Sequence, residues 1–182
     1  SPEARNEMIE AVSASLSNPN INAIVIGSTK GHFCAGGDID SMVDLTAAVG
    51  RTRMKDNHRL VRLILEAEKP IIAAVEGFAV GAGAGMALLC DTIILAETGA
   101  LGFPFFRIGL TPDYGILFTL PRRIGSARAR QILLRAQMLK GKVAVDAGLA
   151  DELVAEGETD ARAVERAQEM ADMPPQAFAL TK

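Results

Sequence analysis

Tryptophan is absent, tyrosine occurs once, and aromatic residues make up only 4% of the 182-residue chain, so there is no array of flat side chains on which nucleotide bases could stack. Positive charge is not in excess either: 19 Lys and Arg face 22 Asp and Glu, a net charge of −3, and no basic stripe appears. These two shortages exclude nucleic acid as the partner and leave a small molecule or another protein. The two cysteines, Cys34 and Cys90, have neither CxxC nor His spacing around them. They are read as small buried hydrophobes in a reducing, cytoplasmic setting, with no metal site and no disulfide. Long apolar runs are missing too. The charge-free stretch from Gly77 to Cys90 falls short of the roughly 20 residues needed to cross a bilayer, and the first residues lack the basic and apolar layout of a signal peptide. No membrane partner is expected. With 49% hydrophobic residues, no repeat and no low-complexity tract, residues 1–182 read as one domain with a sizeable core.

The chain is organised around Ala73 to Asp113. An apolar strand, Ile71 to Val75, empties through the glycine-rich run Gly77 to Gly85 into the helix-like Met86 to Cys90. A helix that starts after small residues presents backbone N–H groups without partners, at the end where its dipole favours negative charge. Glycines this closely spaced point to close approach of a ligand to backbone. Phe33-Cys34-Ala35-Gly36-Gly37-Asp38-Ile39 repeats the pattern, with Asp38 as the N-cap of a short helix through Val43, and implies a second backbone N–H site.

In chain order, Ser1-Pro2-Glu3 reads as an N-cap, a first-turn proline and an acid that complements the dipole. Ala4, Met8, Val12 and Leu16 give that helix one apolar face, and Asn18-Pro19 end it. Ile21 to Ile26 reads as a buried strand, Arg53 to Glu66 as an amphipathic helix and Asp91 to Ala96 as another buried strand. Leu101 to Pro112 reads as a loop or short-strand region. Ser126 is expected to cap a helix of Ala127 to Leu139, a short helix then precedes an extended Asp151 to Val154, and Ala161 to Ala171 is the last clear helix. Alternation of strands and helices makes the class α/β. His58, without a spaced partner, is read as non-catalytic, and Glu76 and Glu97 as solvated loop acids.

Four ordered stretches resemble the crotonase family, also called enoyl-CoA hydratase/isomerase: Phe33 to Ile39, Glu76 to Asp91, Ile108-Gly109-Leu110-Thr111-Pro112-Asp113, and Leu120-Pro121-Arg122-Arg123-Ile124-Gly125. In the family's terms the chain is expected to start after the first strand and to stop before the customary C-terminal helices. The resemblance implies a superhelix of ββα turns with two roughly perpendicular sheets and flanking helices, assembled as homo-trimers or homo-hexamers. It also implies an acyl-CoA thioester substrate, with no cofactor beyond the CoA that the substrate carries. The thioester carbonyl would be held by the N–H groups of Gly37 and Ala82, and the Ala35 carbonyl would receive the adenine amino group.

The two glutamates of the family's hydratases correspond to Gly85 and Phe105, neither of which can carry a proton. The carboxylate left in register is Asp113, which the resemblance implies as the base of an enoyl-CoA isomerase. Phe103, Phe105, Phe106 and Tyr114 are expected to surround and desolvate it, with Phe103 and Phe105 lining the substrate site. Away from the family register, Asp113 reads as an ordinary turn residue after Pro112. Rival readings are a hydratase that uses Asp113 alone, a dehalogenase in which Asp113 attacks carbon, and a catalytically silent acyl-CoA-binding scaffold.

Overall fold

A computed structural model of the protein describes residues 1–39, 42 and 45–182. Of the expected short helix from Asp38 through Val43, residues 40, 41 and 43 lie outside them. Helix α1 (Pro2–Ser17) is capped as the sequence suggests, with Ser1 Oγ accepting from the Ala4 N–H at 3.3 Å. It buries Val12 in the core, with Met8 and Leu16 packed at the margin. Strand β1 (Ile24–Ile26) is shorter than the Ile21–Ile26 expected. Helix α2 spans Ala47–Leu65, beginning before Arg53 because Thr46 caps it by accepting from Val49 N–H at 3.3 Å.

Strands β2 (Ile71–Val75) and β3 (Phe78–Val80) are separated by a two-residue bend, and α3 (Ala82–Leu89) follows at once. The glycine-rich run is therefore a strand and the first half of a helix, not an open loop before one. Strands β4 (Thr92–Ala96) and β5 (Ala100–Gly102) lead to a 3-10 turn at Phe105–Ile108. Helix α4 (Ile116–Ile124) then runs straight into α5 (Ser126–Leu134).

Two expectations for this region change. Helix α4 has no side-chain cap and holds Pro121 inside it, which hides it from a reading by caps and breakers. Helix α5 stops at Leu134, since Met138–Lys140 forms strand β6 rather than a helical end, and Ser126 is its first residue rather than its cap. Helix α6 (Gly141–Asp146), β7 (Glu152–Val154), α7 (Thr159–Ala171) and α8 (Pro175–Thr181) complete the chain. Helix α8, absent from the sequence reading, uses Pro175 as its first residue, where a missing N–H costs nothing.

Parallel strands in the order β1-β2-β4-β7 form one sheet; β3-β5-β6 form the other, with β3 parallel and β6 antiparallel to β5. Every residue of β2 is buried, as expected of a parallel strand covered on both faces. The main core lies between the sheets, α2, α3 and α4, and a smaller cluster of Ile72, Ala74 and Ile94 packs under α7. Glu76 is no solvated loop acid. Its carboxylate accepts from the Gly157 N–H and, at 2.8 Å, from Thr159 Oγ1, tying the β2–β3 bend to the start of α7. Among the described residues no helix is long and apolar enough to cross a membrane.

Candidate active site

The two glycine-rich bends meet because the first of them adds to the second sheet. Cys34 N–H donates to Phe78 O at 3.0 Å, Val80 N–H donates to Cys34 O at 2.9 Å, and Cys34 bridges Ala79 in parallel. Gly36, at φ +102°, then turns so tightly that a Cβ there would stand 2.9 Å from Val80 O and 3.9 Å from Ala82 N. Any side chain at this position would force the bends apart. Gly81, at φ +56°, ends β3 and makes Ala82 the first residue of α3. A first-turn N–H has no acceptor inside its helix. Among the described residues, neither Gly37 N–H nor Ala82 N–H is donated to another group.

Both bends border a cavity of about 700 Å³ that also takes in Ala35, Phe105, Asp113 and Tyr114. Asp113 is delivered to it by a backbone that the sequence does not advertise: Tyr114 (φ +48°) and Gly115 (φ +73°) are consecutive left-handed residues, and α4 starts immediately after them. Asp113 Oδ1 is buried and finds no hydrogen-bond partner among the described residues. Burial pushes the Asp113 carboxyl above its usual range, opposed by its own backbone N–H and by the charges of Arg53 and His58. Burial, and then the Asp113 charge, likewise raise the Tyr114 phenol.

Five of the six residues expected at the site border this cavity: Gly37, Ala82, Ala35, Phe105 and Asp113. Phe103 does not. It is fully buried in the core beside β5, because the chain turns only at Pro104 and presents Phe105, not Phe103, to the cavity. Phe106 is also misplaced by the sequence reading, since it is half exposed and faces a separate shallow groove between α4 and α5. Cys34 borders the cavity and is only half-buried, whereas Cys90 lies in the core with its thiol pushed up to about 12 by burial.

Three cavity residues were not singled out by the sequence: Arg5, Arg53 and Asn57. Arg53 and Asn57 project from α2, Arg53 with a guanidinium nitrogen 3.6 Å from a Cβ built on Gly37. Asn57 is buried, and its Oδ1 accepts from Arg5 Nη1 at 3.0 Å and from the Tyr114 hydroxyl at 3.4 Å. The signal for Asn57 was available: it sits in the inward register of α2 with Met54, Leu60 and Val61, where a polar residue is out of place unless it has partners.

The chemistry open to this arrangement is narrow. Two backbone donors at one rim can hold an oxygen on which charge grows, and one desolvated carboxylate can take up and return a proton. Among the described residues no cluster of three or more His, Cys, Asp or Glu side chains is placed to hold a metal.

The sequence model of the family described as enoyl-CoA hydratase/isomerase matches residues 1–182. The crotonyl-CoA hydratase of Syntrophomonas wolfei is 37% identical over 149 residues, which cover 81% of this chain and 57% of that protein. The bacillaene synthase decarboxylase PksI of Bacillus subtilis is 30% identical over 174 residues, covering 96% of this chain and 69% of that one. Among solved structures, an enoyl-CoA hydratase from Polaromonas sp. JS666 superposes with a TM-score of 0.90 at 30% identity, over 96% of this chain and 69% of that one. The chain thus spans between about half and about two thirds of the length of these relatives.

Proposed function

This chain belongs to the enoyl-CoA hydratase/isomerase family, and from that membership we infer that it processes acyl-CoA thioesters, with the double-bond shift of an enoyl-CoA isomerase as its reaction. The thioester carbonyl would lie against the Gly37 and Ala82 N–H groups, and Asp113 would stand over the acyl chain. Asp113 takes a proton from one allylic carbon, and the electron pair left behind moves into the thioester as an enolate. The two amides stabilise its oxygen, and Asp113 returns the proton to the other allylic carbon. Atoms and charge balance without a co-reactant. A backbone donor of this kind typically lowers a barrier by about 2.7–4 kcal/mol. Assembly as homo-trimers or homo-hexamers belongs to the same reading.

The observation that carries it is the buried carboxylate oxygen of Asp113, without a hydrogen-bond partner among the described residues, in the cavity where the two bends meet. A second reading, hydration of the double bond with Asp113 as the sole acid–base group, draws on the names of relatives such as crotonyl-CoA hydratase. The experiment is to follow 3-enoyl- and 2-enoyl-CoA thioesters spectroscopically with the protein and with Asp113→Asn. Migration of the double bond, abolished in the variant while thioester affinity persists, is expected. Hydration faster than migration would favour the second reading, and binding without any reaction would reject both.

A further inference from the structure

Among the described residues, two buried side-chain polar atoms make no hydrogen bond: Asp113 Oδ1 and Arg5 Nε. Both residues line the same cavity. The proposed proton transfer uses the first and has no task for the second. The Arg5 side chain is only 10% exposed, and its other nitrogens are committed elsewhere. Nη1 donates to Asn57 Oδ1 at 3.0 Å, and Nη2 reaches Asp56 at a long 3.4 Å, where that carboxylate is 38% exposed. A guanidinium cannot shed its charge and carries five N–H donors. Here the cation is pulled out of solvent with one distant, half-solvated counter-charge and one nitrogen, Nε, without any partner, an arrangement that is costly unless a ligand completes it.

Position says which part of a ligand that is. The Asn57 oxygen that holds Arg5 also accepts from the Tyr114 hydroxyl, so the cation is tied to the residue next to Asp113. The cavity that Arg5 borders has a largely apolar wall, Met8, Phe33, Met54, Leu60 and Met86 among it, and its other charged lining residues are Asp38, Arg53 and Asp113. An acyl-CoA carries anionic oxygen in its phosphates and, for some acyl groups, in a carboxylate at the far end. The tie to Tyr114 favours the acyl end.

Resting on the acyl-thioester reading above, we propose that Arg5 is a specificity-determining residue that pairs with a carboxylate at the distal end of the acyl chain, making monothioesters of dicarboxylic acids the preferred substrate class. Asn57 holds the guanidinium in place, and the unused Nε–H is left to meet the incoming oxygen.

The test compares two enoyl-CoA thioesters of equal chain length, one ending in a carboxylate and one in a methyl group, by kcat/KM and by affinity. The protein, Arg5→Met and Arg5→Lys are each measured, and the comparison is repeated on phosphate-free N-acetylcysteamine thioesters. The unaltered protein is expected to prefer the carboxylate. Arg5→Met is expected to cut that preference by about 10- to 100-fold, with Arg5→Lys in between, and on the phosphate-free thioesters as well. A merely structural tie between α1 and α2 would lower the melting temperature and weaken both thioesters together, leaving their ratio unmoved. No preference in the unaltered protein, an unmoved ratio in Arg5→Met, or a loss seen only with intact CoA would each overturn the proposal. Equal processing of both thioesters would leave the proposed function standing, whereas failure of both to bind would remove it too.

Discussion

A Cβ built on Gly85 would stand 2.6 Å from the Cβ of Tyr114 and 3.0 Å from its carbonyl oxygen. Helix α3 can press against the Asp113-Tyr114-Gly115 turn only because residue 85 has no side chain. The position that the family resemblance assigns to a hydratase glutamate is thus filled from the opposite side, by the backbone that carries Asp113.

Gly85→Ala should therefore destabilise the protein despite alanine's better helix propensity, which is worth about 1 kcal/mol. Overpacking of this kind costs about 1–3 kcal/mol, and each kcal/mol lowers the melting temperature of a chain this size by about 2–4 °C. Gly85→Glu should lose more stability and gain no hydratase activity, because the new carboxylate can enter only by displacing Tyr114. Thermal melting and a crotonyl-CoA hydration assay measure both effects.

Ala82→Pro removes one backbone donor. Position 82 is the first of α3, where proline's fixed φ is tolerated; the N–H is lost and the ring's Cδ takes its place. Turnover should fall about 10²- to 10³-fold while the melting temperature barely moves. An unchanged rate would remove Ala82 from the chemistry.

Asp113 should impose an acid limb on the rate. The carboxyl must be ionised to accept a proton, and burial lifts it above the 3.8 of an unperturbed aspartate, so kcat/KM should fall as pH drops through that raised value. Asp113→Asn should abolish the limb together with about 10²- to 10⁴-fold of the rate.

Stability should move the other way. Because the folded state holds the Asp113 proton more tightly than the unfolded chain, this residue's stabilising contribution is present at low pH and is lost as pH rises through the folded pKa. Asp113→Asn, neutral throughout, should melt above the unaltered protein near pH 7, with the gap closing in acid. Paired melting curves across that range check the sign.

Glu76→Ala supplies a contrast, since its carboxylate tethers α7 through Gly157 and Thr159 and does not border the cavity. It should lower stability by about 1–2 kcal/mol, as loss of a helix-start acceptor typically does, without changing thioester affinity. Denaturant melts and a binding isotherm separate the two.

Much of the site was legible because backbone sites leave local marks. Gly36 and Gly81 occupy φ values that other residues avoid, and their places in the sequence flag the two bends directly. Phe103 and Phe105 look alike in sequence, and nothing local tells which of two nearby aromatics follows the strand into the core and which lies past the turn. Helix α4 was illegible for a related reason: its start is set by two left-handed residues and its middle holds a proline, so its helicity comes from burying Ile116 and Leu120 rather than from local signals.

Sequence alone determined the α/β class, the apolar parallel strands β1 and β2 and both glycine-flanked bends, since these are written in residue type and short-range spacing; the choice of Asp113 over other acids came from the family resemblance instead. Tertiary structure decided that Gly36 touches the Val80–Ala82 bend, that Tyr114 closes the space beside Gly85, and that Arg5, Asn57 and Asp113 share one cavity. Those relationships join residues as far apart in the chain as Arg5 and Asp113. They follow from which strands pair and which helices lie on them, which no local pattern of the chain encodes.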